Sequence, residues 1–279
     1  MPISDTIVTT SDGLTLRQRV AQPDGAARGL IVITHGHGEH QGRYMHTAQA
    51  LCEAGYAVYT YDLRGHGRSE GKRGHSPTFL TYLDDLKQVA DQAQRAQPRL
   101  RLWLMGHSMG GLITLAYAVR RLPNAAGVVV TGPLLRVKYQ PPAWKVMMAQ
   151  VLSTVAPSLT LSTGLDVSVP MSHDQALLES FPDPDLPHAR MSLRVGNDIL
   201  ALSADTLTRA PELKLPLLLM QGEADGAVDP EATREFYKRA GSQDKTLKMY
   251  PGLYHEILNE TERGRVMGDM VEWLEKRSN

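Results

Sequence analysis

Six short, mostly apolar runs recur along the chain, with helical patterns between many of them. They are Leu30-Ile31-Val32-Ile33, Tyr56 to Tyr61, Leu102 to Met105, Gly127 to Val130, Leu217 to Met220 and Leu247 to Tyr250. A run with no polar alternation suits a strand covered on both faces, which is the environment of a parallel sheet between two helical layers. The intervening residues 77 to 96 place Phe79, Leu83, Leu86, Ala90 and Ala93 three and four apart, with Pro77 expected in the first turn. Asp229-Pro230 reads as the cap and first residue of another helix, and residues 261 to 276 as the last. The N-terminus differs: Thr6 to Thr10, a Ser11-Asp12-Gly13 turn and Leu14 to Val20 form a hairpin. The expected fold class is α/β, a mostly parallel central sheet flanked by helices.

Residues 133 to 208 interrupt this rhythm. They hold eight of the seventeen prolines, no clear buried strand, and an apolar helical stretch from Trp144 to Leu152. The segment reads as an insertion at the carboxyl edge of the sheet, where insertions commonly overlie a site. The expected organisation is a core of residues 1–132 and 209–279 with a cap (lid) insertion of 133–208.

A G-x-S-x-G pentapeptide places a serine on a tight turn between strand and helix. The letters occur twice, at Gly67-Arg68-Ser69-Glu70-Gly71 and at Gly106-His107-Ser108-Met109-Gly110. Only the second follows an apolar run and precedes a helical pattern, residues 112 to 121, so Ser108 is the candidate nucleophile and Ser69 an ordinary turn serine. A serine hydroxyl needs a histidine base that is itself oriented by a carboxylate, in the chain order Ser, acid, His. Asp225 leaves the end of the run at 217–220 and is the expected acid. Glu223, nearer the strand, stays open as an alternative, and Asp229 is better explained as a helix cap. Among ten histidines, His255 alone lies downstream of Asp225. The oxyanion donors expected from this arrangement are the backbone N–H of Met109, after the nucleophile, and one from the loop after the first apolar run.

That loop, Thr34-His35-Gly36-His37-Gly38-Glu39-His40, also resembles a zinc motif of the metallo-β-lactamase fold. Glu39 stands where that family has Asp, and no later histidines are placed to complete two metal sites. The serine chemistry requires no metal and no organic cofactor. Equal numbers of basic and acidic residues, 30 each, give no electrostatic reason to expect nucleic acid or anionic lipid as a partner. The single cysteine, Cys52, reads as a small buried hydrophobe. No secretory signal and no apolar stretch near the ~18 residues of a bilayer span is visible, which makes a soluble cytoplasmic protein the default expectation.

Taken together, His35-Gly36-His37-Gly38-Glu39-His40 with Gly42-Arg43-Tyr44, Gly65 to Gly71, Gly106 to Gly111, Gln221 to Asp225, and Ser242 to Tyr250 leading into Tyr254-His255 resemble the monoacylglycerol lipase family of α/β-hydrolases. The resemblance runs through nearly the whole chain and is weaker in the cap. It implies the α/β-hydrolase fold, a lipid ester substrate, and hydrolysis of monoacylglycerols to glycerol and fatty acid. It further implies a mobile cap that shapes an acyl tunnel and helps the enzyme touch membranes, and a glycerol pocket near Glu39 and Arg43. A surface or loop-anchoring salt bridge is the competing account of that pair. The resemblance also makes the backbone N–H of His37 the second oxyanion donor, and His37 departs from the small or aliphatic residue usual at that position. Val228 stands where some mammalian relatives have a reactive cysteine, so thiol inhibition is not expected. A related carboxylesterase or lysophospholipase shares the triad, and a catalytically silent binding module is the remaining alternative.

Overall fold

The computed structural model describes residues 1–139, 142–163 and 169–278. Strands β1 (Ile3–Thr9) and β2 (Thr15–Ala21) form the expected hairpin, followed by β3 (Gly29–Thr34), α1 (Met45–Glu53), β4 (Tyr56–Tyr61), α2 (Leu80–Ala96), β5 (Leu102–His107), α3 (Met109–Arg121) and β6 (Gly127–Thr131). After a long excursion the chain returns through β9 (Leu217–Gly222), α7 (Pro230–Arg239), β10 (Lys245–Tyr250) and α8 (Arg263–Glu275). The eight core strands lie in the order β1-β2-β4-β3-β5-β6-β9-β10. From β4 to β10 every pairing is parallel; β2 joins β4 antiparallel.

Five of the six apolar runs are buried on both faces because alternate residues enter different cores, whereas β10, at the edge of the sheet, is only half-buried. Leu30, Val32, Leu104, Val128, Val130, Leu217 and Leu219 pack with α2, α3 and α7. Ile31, Ile33, Trp103, Met105, Val129, Leu218 and Met220 pack with α1 and α8. Parallel strands align their carboxyl ends, so the loops after β3, β5, β9 and β10 emerge along one edge of the sheet.

The excursion between β6 and β9 carries α4 (Ala143–Val155), β7 (Thr160–Ser162), α5 (Gln175–Glu179), β8 (Arg190–Ser192) and α6 (Leu193–Thr208). Residues 140–141 and 164–168 of the segment lie outside those described. Its strands pair only with each other. Helix α6 anchors the segment: Val195, Ile199, Leu202 and Leu207 join the α2–α3 core. Helix α4 leaves Trp144, Met147, Met148, Val151, Leu152 and Val155 each at least 41% exposed. Among the described residues, no helix is long and apolar enough to cross a membrane.

One boundary differs from the periodicity. Helix α2 begins at Leu80, and Pro77 lies outside it. The Phe79 N–H donates to Asp198 of α6 at 2.9 Å. That acceptor comes from 119 residues away and is absent from the local pattern.

Candidate active site

Strand β5 ends at His107 and α3 starts at Met109, so the chain must turn at Ser108. Ser108 does so with φ 54° and ψ −118°, in the region that disfavours a Cβ. Such torsions cost on the order of 1–3 kcal/mol and persist only where the surroundings impose them. Here the Ser108 N–H donates to Thr131 at 3.0 Å, and its carbonyl accepts from Leu112 and Leu134, each at 3.0 Å. The flanking glycines are steric requirements. A Cβ at Gly106 would lie 2.3 Å from the Gly110 carbonyl, and one at Gly110 would lie 2.1 Å from the Thr34 carbonyl. Ser69 is different: its hydroxyl donates to the Asp62 carbonyl at 2.6 Å and accepts from the Arg17 N–H at 2.8 Å.

The loops after β9 and β10 bring Asp225 and His255 to Ser108. His255 Nε2 lies 2.9 Å from Ser108 Oγ, and its Nδ1 lies 2.7 Å from Asp225 Oδ2. Asp225 also accepts from the Ala227 and Val228 N–H groups at 2.8 and 3.0 Å and from Gln221 Nε2 at 2.8 Å. Its orientation is therefore fixed independently of the histidine. Glu223 instead pairs with Arg234, and Asp229 caps α7 through the Glu231 N–H at 3.1 Å. Burial opposes a charge on His255, but the adjacent Asp225 carboxylate outweighs it and raises the imidazole pKa. For Asp225, burial favours the neutral acid, and the His255 charge and hydrogen bonds overcome it, lowering the pKa. Ser108 keeps partial exposure while Asp225 and His255 are buried, so the hydroxyl is the accessible end of the chain.

The backbone N–H groups of His37 and Met109 have no acceptor among the described residues. Gly36, before His37, is held on both sides: its N–H donates to Glu39 Oε1 at 2.5 Å and its carbonyl accepts from His35 Nδ1 at 2.7 Å. The other ring nitrogen of His35 accepts from the Leu63 N–H at 2.9 Å, which fixes the tautomer. His40 accepts from the Gly42 N–H at 3.2 Å. Two of the three zinc-like histidines, His35 and His40, therefore serve backbone groups.

The His37 ring turns into a group of imidazoles, with ring centres 5.4 Å from His66 and 5.7 Å from His188. Both its ring nitrogens are buried without partners. Burial, reinforced by His188 and His35, holds His37 neutral with a pKa of about 3. His66 and His188 are lowered too, chiefly by burial.

Glu39 is 7% exposed and Oε1 also accepts from the buried Tyr44 hydroxyl at 2.7 Å. Arg43 lies 3.3 Å from Glu39, 2.6 Å from Glu256, and 4.7 Å from the centre of the Phe181 ring. Burial works against its charge, and the Glu256 and Glu39 carboxylates outweigh burial and raise its pKa. Three neighbours were absent from the sequence reading. Glu256 and Phe181 are the unforeseen partners of Arg43, and His107 places its ring 4.8 Å from that of His255. A second carboxylate beside Arg43 had no periodic signal; its adjacency to His255 was the only available clue.

Residues 25–262 match the Hydrolase_4 family model, described as serine aminopeptidase, S33. A monoacylglycerol lipase of Mycolicibacterium smegmatis is 34% identical over 94% of this chain and 93% of its own. The crystal structure of a Paleococcus ferrophilus monoacylglycerol lipase superposes with a TM-score of 0.82 at 32% identity, covering 98% of both chains. A soluble variant of the Saccharomyces cerevisiae monoglyceride lipase, in complex with a substrate analog, gives 0.87 at 26% identity over 100% of this chain and 96% of that one. The chain belongs to the Hydrolase_4 (serine aminopeptidase, S33) family of α/β-hydrolases, and within it to the group that contains the monoacylglycerol lipases.

Proposed function

We propose that this protein is a serine esterase that hydrolyses monoacylglycerols to glycerol and free fatty acid. The observation that carries the mechanism is the unbroken chain from Ser108 Oγ through His255 to Asp225, at 2.9 and 2.7 Å. Ser108 attacks the ester carbonyl as His255 takes its proton. The carbonyl oxygen becomes an oxyanion held by the His37 and Met109 N–H groups. His255 then protonates the departing alcohol, and water, activated by the same histidine, releases the acid from Ser108. Asp225 holds the imidazole in the required tautomer and stabilises its charged form.

Residues 133–208 act as the cap over this edge, with α6 docking it to the core and the exposed apolar face of α4 meeting lipid surfaces. Monoacylglycerol as substrate is supported by the relatives named above, and ester cleavage by the charge around the site. An aminopeptidase needs a free carboxylate for the substrate ammonium. The two further carboxylates whose charges reach His255, Glu39 and Glu256, are shared by Arg43.

The test is turnover of monoacylglycerols of graded acyl length beside a lysophospholipid, p-nitrophenyl esters and an aminoacyl amide, with Ser108→Ala as control. The expected result is a preference for monoacylglycerols that vanishes in Ser108→Ala. Preference for lysophospholipid or short esters would move the substrate while keeping the triad, and turnover by Ser108→Ala would remove the triad itself.

A further inference from the structure

Glycine tolerates many torsions, so a glycine directly before a catalytic donor must be held from outside. Gly36 stands in that position. In a trans peptide the N–H and C=O point in opposite directions. The bond from His35 to the Gly36 carbonyl therefore aims the His37 N–H away from the imidazole, and Glu39 fixes the preceding peptide through the Gly36 N–H. A Cβ at Gly36 would lie 2.6 Å from Glu39 Oε1 and 3.2 Å from Ser108 Cβ, so the glycine is wedged between carboxylate and nucleophile. A displacement of Glu39 would therefore act on Gly36 and on the peptide that follows it.

Glu39 is itself immobilised. Tyr44 donates to the oxygen that holds Gly36, and the other oxygen faces Arg43 at 3.3 Å. A carboxylate close to an oxyanion would ordinarily repel it; Arg43, packed beside it, offsets that charge. With its first oxygen taken by two donors and its second facing a guanidinium, Glu39 is turned toward Gly36, Tyr44 and Arg43.

We propose that Glu39 is a positioning residue for the oxyanion hole, setting the His37 N–H through Gly36, rather than a contact for the glycerol moiety. This rests on the serine-esterase mechanism proposed above. It predicts that Glu39 matters equally for esters with and without glycerol.

The experiment compares Glu39→Ala, Glu39→Gln and Ser108→Ala on a monoacylglycerol, a p-nitrophenyl ester and an alkyl trifluoromethyl ketone. The ketone forms a hemiketal oxyanion on serine and so reports the hole directly. Glu39→Ala should lower kcat by about 10- to 100-fold on both esters with little change in KM, and weaken the ketone by a similar factor. Glu39→Gln, which keeps an acceptor for Gly36, should recover most of the loss. Should Glu39→Ala not fold, Glu39→Asp keeps the charge but draws it back from Gly36, and the same pattern is expected. A raised KM confined to the monoacylglycerol, with ketone affinity and p-nitrophenyl ester turnover unchanged, would overturn the proposal and restore the glycerol contact. Turnover persisting in Ser108→Ala would instead overturn the underlying mechanism.

Discussion

His188 donates its backbone N–H to the carbonyl of Gly38 at 2.8 Å, tying the segment between β6 and β9 to the residue after His37. Its ring nitrogen Nε2 donates to the Gly65 carbonyl at 3.0 Å, and its ring centre lies 4.6 Å from that of His66. The loop that carries the proposed oxyanion donor is thus gripped by Glu39 from within and by the inserted segment from outside.

Gly38→Ala should break this grip. Gly38 has φ +76°, and a Cβ there would lie 2.4 Å from the His188 carbonyl oxygen. Strain of this kind costs about 1–3 kcal/mol, equivalent to a Tm lower by roughly 2–5 °C in a chain of this size. Calorimetry and ester kinetics should show the lower Tm together with a reduced kcat. An unchanged Tm would mean that this contact is not maintained in solution.

The pH dependence follows from His255. It must be neutral to accept the Ser108 proton, and Asp225 raises its pKa. Activity should therefore fall as pH drops through a value above the ordinary histidine pKa of about 6.5. Asp225→Asn removes the charge that favours the imidazolium. The residual activity should have its acid limb displaced to lower pH, with kcat reduced by about 10⁴-fold. A profile of kcat/KM against pH for both proteins checks the direction, and an acid limb that stays in place would contradict the electrostatic origin of the shift.

Cys52 is 4% exposed, and burial pushes its thiol pKa up to about 11. Iodoacetamide at pH 7.5 should leave the folded enzyme unmodified and fully active, with one carboxamidomethyl group appearing only after denaturation. Mass spectrometry of the two samples decides it; fast labelling of the native protein would require local opening around α1.

On α4, Met147→Glu with Val151→Glu places two charges on a face already exposed to water. Surface changes of this kind usually alter stability by no more than about 0.5 kcal/mol. Hydrolysis of a soluble short ester should be retained, whereas turnover of emulsified monoacylglycerol and sedimentation with phosphatidylcholine vesicles should both decline. Equal behaviour on both substrates would exclude this face from lipid contact.

Much of the architecture was legible because its signals are local. The runs at 30–33, 56–61, 102–105, 127–130 and 217–220 are strands buried from both sides, and their order along the chain is what makes Asp225 and His255 follow Ser108 in space. What was not legible depends on distant partners. Helix α6 breaks its apolar spacing with Gly196, Asn197 and Asp198, and becomes a core helix through tertiary packing with α3, α4 and α7. The start of α2 depends on Asp198 in that helix. The imidazole group joins positions 37, 66 and 188, which no window of sequence contains together. Glu256 takes its meaning from Arg43, more than 200 residues earlier.

The two glycines around Ser108 carry one further consequence. Carbonyl oxygens stand 2.3 and 2.1 Å from where their side chains would begin, so these positions are closed to other residues by backbone geometry alone. A descendant that lost its chemistry would still have to keep both to retain the turn from β5 into α3. The pentapeptide is therefore an imprint of shape, durable under drift. The serine between the glycines is under the opposite pressure, holding a left-handed conformation that glycine itself would adopt with less strain. In a lineage freed from selection for turnover, that central letter should be the first of the three to change.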